Sequence, residues 1–283
     1  MNRRRLLASG LGALTAACSP LALFDRLTPK DGGARRVVES APYGPGPRQS
    51  LDLYAPIGAK DLPLLVFFYG GGWDSGSKDL YRWAALALAA QGFVVAVPDY
   101  RLVPEVRFPV FLDDCASGVA KAMALGGGYG ANTSRVLLSG HSAGAYNAAM
   151  LGLDPTYLRR AGVDPARVAG VATLAGPFDF LPFDVKASIE AFGRAPDPAQ
   201  TQPVNFVRAD APPLWLAAGD KDTTVLPRNS LTLAARERAA GGRAEVKIYP
   251  GLDHVGIVLA LSRPFRHRAP VLKDMTAFLK AHA

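Results

Sequence analysis

Gly140-His141-Ser142-Ala143-Gly144 is the stretch whose residue types and spacing could do chemistry. A serine hydroxyl is a weak nucleophile unless the chain holds it out and offers it to a base. Here the serine lies between an apolar run of strand type, 136–138, and a small-residue run of helical type, 145–153. A strand that turns sharply into a helix presents such a hydroxyl, and the turn requires small residues two before and two after it. Gly140 and Gly144 meet that requirement. The N–H groups that open the following helix then face the place where negative charge develops. Candidate partners follow downstream: Asp220 or Asp222 in Gly219-Asp220-Lys221-Asp222, and His254 after Asp253. Upstream stands Tyr69-Gly70-Gly71-Gly72-Trp73, whose glycines let backbone N–H groups turn towards a ligand. Nucleophile, acid, base and glycine loop together are the parts of acyl transfer.

The elements that must position these groups alternate. Residues 49–54 switch between polar and apolar, as a half-buried strand does. Residues 62–69, 93–97, 168–174 and 213–218 are nearly continuous apolar runs, the pattern of strands buried on both faces, and 245–249 reads as the last strand. Helical composition fills 80–90, 108–125, 226–240 and 265–281. The expected class is α/β, a mostly parallel central sheet with helices on both faces. Residues 181–210 are irregular and proline-containing, too long for a plain connection, and read as a small cap insertion over the site. Residues 21–48, rich in Pro, Gly and Arg, read as a tether and entry segment to a domain over 49–283. Asp113 and Asp114 read as support for their helix or as anchors for an arginine, and Cys115 as a small core residue.

With 283 residues, 49% hydrophobic and 20% charged, the chain has the composition of a globular protein. Its formal charge of +8 includes Arg3, Arg4 and Arg5, and the remaining cations are interspersed with Asp and Glu. That scatter argues against a nucleic-acid partner. The two cysteines stand far apart without metal spacing, and no nucleotide fingerprint appears, so neither metal nor cofactor is expected. Residues 1–20 read as an export signal: a basic start, a short uncharged apolar run, and small residues before Cys18. Thr15-Ala16-Ala17-Cys18 resembles a bacterial lipobox, and Asn2-Arg3-Arg4-Arg5-Leu6-Leu7 a twin-arginine signal. The expected location is the periplasm, free or held to the membrane by a lipid on Cys18.

Taken together, the glycine loop, Asp99-Tyr100-Arg101-Leu102, the serine stretch, Gly219-x-x-Asp222-x-x-Val225 and Asp253-His254 resemble the α/β-hydrolase superfamily. The likeness is to its bacterial esterase and lipase group, which includes hormone-sensitive-lipase-like carboxylesterases and arylformamidase-like enzymes. It covers residues 49–281. The resemblance implies Ser142 as nucleophile, His254 as general base, and Asp222 as the acid that orients the histidine. It implies an oxyanion hole from the N–H groups of Gly70, Gly71 and Ala143. Tyr69 stands where the family usually has the histidine of His-Gly-Gly-Gly. Tyr69 and Trp73, with Phe178, Phe180, Phe183 and Phe192, are expected to line an acyl or alcohol pocket. Among rivals, His141 is expected to face inward, His267 to lie in the closing helix, His282 at the chain end, and Asp253 too near His254 to orient its ring. The implied activity is hydrolysis of a small carboxylic ester. The alternatives are cleavage of an N-formyl amide, or a non-catalytic binding protein on the same fold.

Overall fold

A computed structural model describes residues 20–283. The export signal and Cys18 lie outside the described residues. The order of elements is α1 (Pro20–Leu27), β1 (Ala34–Pro42), β2 (Ser50–Pro56), β3 (Leu62–Phe68), α2 (Arg82–Ala89), β4 (Val94–Pro98), α3 (Val110–Gly126), β5 (Ala131–His141), α4 (Ala143–Leu153), α5 (Pro155–Arg160), β6 (Val168–Leu174), α6 (Lys186–Phe192), β7 (Leu214–Gly219), α7 (Arg228–Ala239), β8 (Ala244–Tyr249), α8 (His254–Leu259) and α9 (Val271–His282). The eight strands form one sheet in the order β1-β2-β4-β3-β5-β6-β7-β8. β1, β2 and β4 pair antiparallel, and every pairing from β4 through β3 to β8 is parallel.

Burial explains the apolar runs. Successive side chains of a strand point to opposite faces. Every residue of β4, β6 and β7 is buried, so both faces of the central sheet are covered. The edge strands β1 and β8 alternate and carry charge, as edges in contact with water do. β5 lies between β3 and β6, with Phe68 level with Gly140 and His141 level with Leu174. The carboxyl ends of β3, β5, β7 and β8 therefore open on one rim, where open α/β sheets form their sites.

Two expectations change. Residues 21–48 are not only a tether: 34–42 form β1, paired with β2 from Ala34–Pro56 to Pro42–Ser50. Arg36 binds the buried Asp52 at 3.0 Å and the Ser40 N–H donates to the same carboxylate at 2.9 Å. Proline is tolerated because it stands at the end of an edge strand. The closing helix begins at Val271 rather than at 265, because Pro270 precedes it and 263–268 turn. His267 is thus in a turn, not in a helix. Asp113 and Asp114 anchor arginines, Asp114 binding Arg101 through two oxygens and Asp113 binding Arg160.

Candidate active site

Ser142 sits at the hinge between β5 and α4 with φ 55° and ψ −122°, a conformation that costs a non-glycine residue about 1–3 kcal/mol. The strain is held by its surroundings. The Ser142 N–H donates to Leu174 O at 2.9 Å. A Cβ on Gly140 would overlap the Gly144 carbonyl, and one on Gly144 would overlap the carbonyls of Phe68 and Tyr69. Only glycine lets the strand, the turn and the first turn of α4 pack this closely.

The serine Oγ lies 2.8 Å from His254 Nε2, and His254 Nδ1 lies 2.8 Å from Asp222 Oδ2. A carboxylate only accepts, so Nδ1 carries the proton and Nε2 is left to accept from the serine hydroxyl. The second oxygen of Asp222 accepts from the N–H groups of Thr224 and Val225 at 2.9 and 2.8 Å. The Asp222 side chain is fully buried, while the His254 side chain keeps 14% of its surface. Burial separates Asp222 from its rivals. Asp220 is exposed and accepts from the Gly251 N–H, joining the two loops at the rim. Asp253 caps α8 by accepting from the Gly256 N–H at 2.6 Å, so its carboxylate is turned from the ring of His254.

The glycine loop differs in detail from the sequence expectation. Gly72 and Ala143 border the cleft beside Ser142. The N–H groups of Gly71, Gly72 and Ala143 have no backbone acceptor among the described residues. Gly70 instead lies behind the nucleophile, where an added Cβ would meet Ser142 Cβ and the His141 carbonyl at 3.0 Å. Gly72 therefore takes the cleft-facing place expected of Gly70.

Tyr69 does not line the cleft either. It is wholly buried, stacked on Tyr100 with centroids 4.7 Å apart. Its hydroxyl accepts from Arg48 at 3.1 Å and from the Tyr100 N–H at 3.3 Å, while Tyr100 donates to the Tyr69 carbonyl at 2.9 Å. Tyr69 shapes the loop from beneath. Trp73 does reach the cleft, held by an indole N–H bond to Asn147 at 3.2 Å and an edge-on contact with Phe192. Of the four phenylalanines, Phe180 lines the cavity. Phe178 and Phe192 are buried in the core behind it, and Phe183 packs on Phe192.

The cavity above Ser142 holds about 350 Å³. Trp73, Phe180, Leu181, Val185 and Leu226 supply apolar wall, and Asp179, Asp184 and Arg228 stand at its polar side. Leu181, Val185 and Ala187 come from the 181–210 segment, which carries α6 and forms one wall. Sequence reasoning missed the Thr223–Asn229 side of the cavity, which follows Asp222 directly.

His141, beside the nucleophile, is buried, and burial together with the neighbouring His254 lowers its pKa to about 3. It is neutral when folded and takes a proton near pH 6.5 when unfolded. The unfolded chain thus binds more protons between these values, and stability falls as pH falls. The expected loss is about 1.4 kcal/mol per pH unit below pH 6.5 from this group alone. Urea unfolding at pH 7.0 and 5.5 checks it, since His141→Gln removes that share of the slope.

A family model described as BD-FAE matches residues 51–236. The chain belongs to the BD-FAE family. Among its relatives, this BD-FAE protein is 30% identical over 243 residues to esterase LipC of Mycobacterium tuberculosis (strain ATCC 25618 / H37Rv). That match covers 78% of this chain, and the chain spans only 59% of the length of LipC. It is 25% identical over 256 residues to a kynurenine formamidase of Salmo salar, covering 88% of this chain and 85% of that one. Its fold is that of esterase B from Lactobacillus rhamnosis in complex with a tributyrin phosphonate, with a TM-score of 0.78 at 24% identity over 92% and 91% of the two chains. The BD-FAE chain is thus an α/β-hydrolase in fold and in family.

Proposed function

We propose that this protein is a serine hydrolase that cleaves a small carboxylic ester through an acyl-enzyme on Ser142. The observation that carries the reading is the unbroken hydrogen-bonded line from Ser142 Oγ through His254 to Asp222, each step 2.8 Å. Ser142 Oγ attacks the ester carbonyl carbon as its proton passes to His254 Nε2. The Asp222 carboxylate steadies the imidazolium. The carbonyl oxygen takes up negative charge beside the N–H groups of Ala143, Gly71 and Gly72, and the amino end of α4 favours that charge. His254 returns the proton to the departing alcohol oxygen. Water then gives a proton to Nε2 and attacks the acyl carbon. Ser142 Oγ leaves with that proton, and the carboxylic acid is released.

The cavity volume supports a small substrate, since small-molecule sites run from about 300 to 1,000 Å³. The similarity to LipC, named an esterase, supports an ester. A second reading is hydrolysis of an N-formyl amide, favoured by the near full-length match to the salmon formamidase. The same residues serve it, with His254 protonating an amine. Export by residues 1–20, with a lipid on Cys18, belongs to the proposal.

A fluorophosphonate probe is expected to label Ser142 of the wild type, located by peptide mass, and p-nitrophenyl acetate and butyrate to be turned over. Ester turnover well above that of N-formylkynurenine supports the first reading, and the reverse order the second. No label and no turnover of either would leave the chain a non-catalytic member of the fold.

A further inference from the structure

The geometry points to His141 as a positioning residue whose ring N–H, donated to the main-chain carbonyl of His254, sets the distance between nucleophile and base, with the Tyr81 hydroxyl donating to the other ring nitrogen. The inference rests on the hydrolase reading above.

His141 Nε2 lies 2.9 Å from the His254 carbonyl oxygen, and His141 Nδ1 lies 2.9 Å from the Tyr81 hydroxyl. A carbonyl oxygen accepts and cannot donate, so Nε2 holds the proton. Nδ1 must then accept, and the Tyr81 O–H supplies the hydrogen. Buried bonds thus run from Tyr81 through His141 to the backbone of the base. They link three segments that are remote in sequence: the one before α2, the nucleophile turn and the loop that carries the base.

The placement matters because His141 is bonded directly to Ser142. One side chain spans from the backbone of the nucleophile to the backbone of the base, beside the 2.8 Å bond between their side chains. The two imidazole rings stand 5.0 Å apart. With both backbones pinned, the His254 ring swings about a fixed origin, and Nε2 stays within reach of Oγ. Catalytic groups misplaced by about 1 Å lose on the order of 100-fold in rate. The groups against His141 are the Tyr81 hydroxyl, the Gly70 backbone and the ring and carbonyl of His254. Its burial keeps it neutral, so it neither competes for the serine proton nor repels the imidazolium that forms on His254.

Two substitutions separate positioning from bulk. In His141→Gln the amide nitrogen stands near the place of Nε2 and can still donate to the His254 carbonyl. In His141→Asn the amide reaches only the place of Nδ1, so the Tyr81 contact is kept and the link to His254 is lost. Each variant is assayed with p-nitrophenyl butyrate, and turnover is divided by the fraction of sites that a fluorophosphonate titrates. The expected result is a kcat for Gln within about threefold of wild type, and for Asn about tenfold or more lower, with KM within about twofold in both. Equal kcat per titrated site in the two variants overturns the inference, as does an Asn loss that appears only in KM. If neither variant folds, Tyr81→Phe decides. It removes the donor to Nδ1 and leaves the ring free to turn from the His254 carbonyl, and an unchanged kcat there overturns the inference. A wild type that neither labels nor turns over ester defeats the hydrolase reading itself, which is a different outcome from equal variants of an active enzyme.

Discussion

Asp222→Asn lowers kcat by about 10⁴ while leaving the protein folded, the size of effect seen when a triad histidine is held in the wrong tautomer. The surroundings of this side chain decide which way the new amide points. One oxygen of Asp222 accepts from the N–H groups of Thr224 and Val225, and the other faces His254 Nδ1. Two backbone donors demand an oxygen, so the asparagine carbonyl must take their place. Its NH2 is left facing Nδ1. Nδ1 then has to accept, the ring proton moves to Nε2, and Nε2 can no longer take the proton of Ser142. An asparagine turned the other way would set NH2 against two N–H groups in a buried site, at a cost of about 1–3 kcal/mol for each unpaired group. Steady-state kinetics on p-nitrophenyl acetate measure the loss, and the urea midpoint tests the fold. A variant within tenfold of wild type would remove Asp222 from the proposed line. The companion change Asp220→Asn is expected to leave kcat within about twofold, since that exposed carboxylate touches a loop N–H and not the ring.

The parts of this site that could be read in the chain are those whose signal is local. β3, β4, β6 and β7 are nearly continuous apolar runs, because burial on both faces leaves little place for polar side chains. The nucleophile turn carries its own glycines, Gly140 crowded by the first turn of α4 and Gly144 by the end of the adjacent β3 and the start of the glycine loop. What failed was set at long range. β1 reads as a tether and entry segment rather than a paired strand because its partners, Asp52 and the backbone of β2, lie beyond a proline-rich turn. Tyr69 stands beside the glycine loop in sequence, yet its direction is fixed by Arg48 and Tyr100, 21 and 31 residues away. Arg48 itself falls in the stretch that reads as a tether. Gly70 and Gly72 are the same residue type one turn of loop apart. Gly70 is packed against His141 and Ser142, residues of the distant nucleophile turn, while Gly72 borders the cleft. Asp222 is told from Asp220 in the chain by its place in the motif alone, since the burial that separates them does not show in the spacing.

Gly144→Ala tests whether the crowding at the turn holds the nucleophile in place. Two effects oppose each other. Gly144 is the second residue of α4, and alanine there gains about 1 kcal/mol in helix propensity. Against this, the new methyl would stand well inside contact with the carbonyl oxygens of Phe68 and Tyr69. Those atoms are backbone, at the end of a central strand and the start of the glycine loop, so no side-chain rotation relieves the overlap. Forcing a methyl group into a packed core costs about 1–3 kcal/mol, and a rigid wall belongs at the upper end of that range. The overlap therefore wins, with a net loss of about 2 kcal/mol and β3 pushed from α4. That shift moves Ser142 and the glycine loop apart, so kcat is expected to fall about 100-fold in the protein that remains folded. Gly127→Ala is the control. It has helical backbone angles and nothing within 4 Å of its added methyl, so stability there is unchanged or slightly raised. Urea midpoints and kcat for the two variants, measured side by side, give the answer. Equal stability and activity in both would mean that the turn has room to spare, and that the strained angles of Ser142 are not maintained by the close approach of β3 to α4.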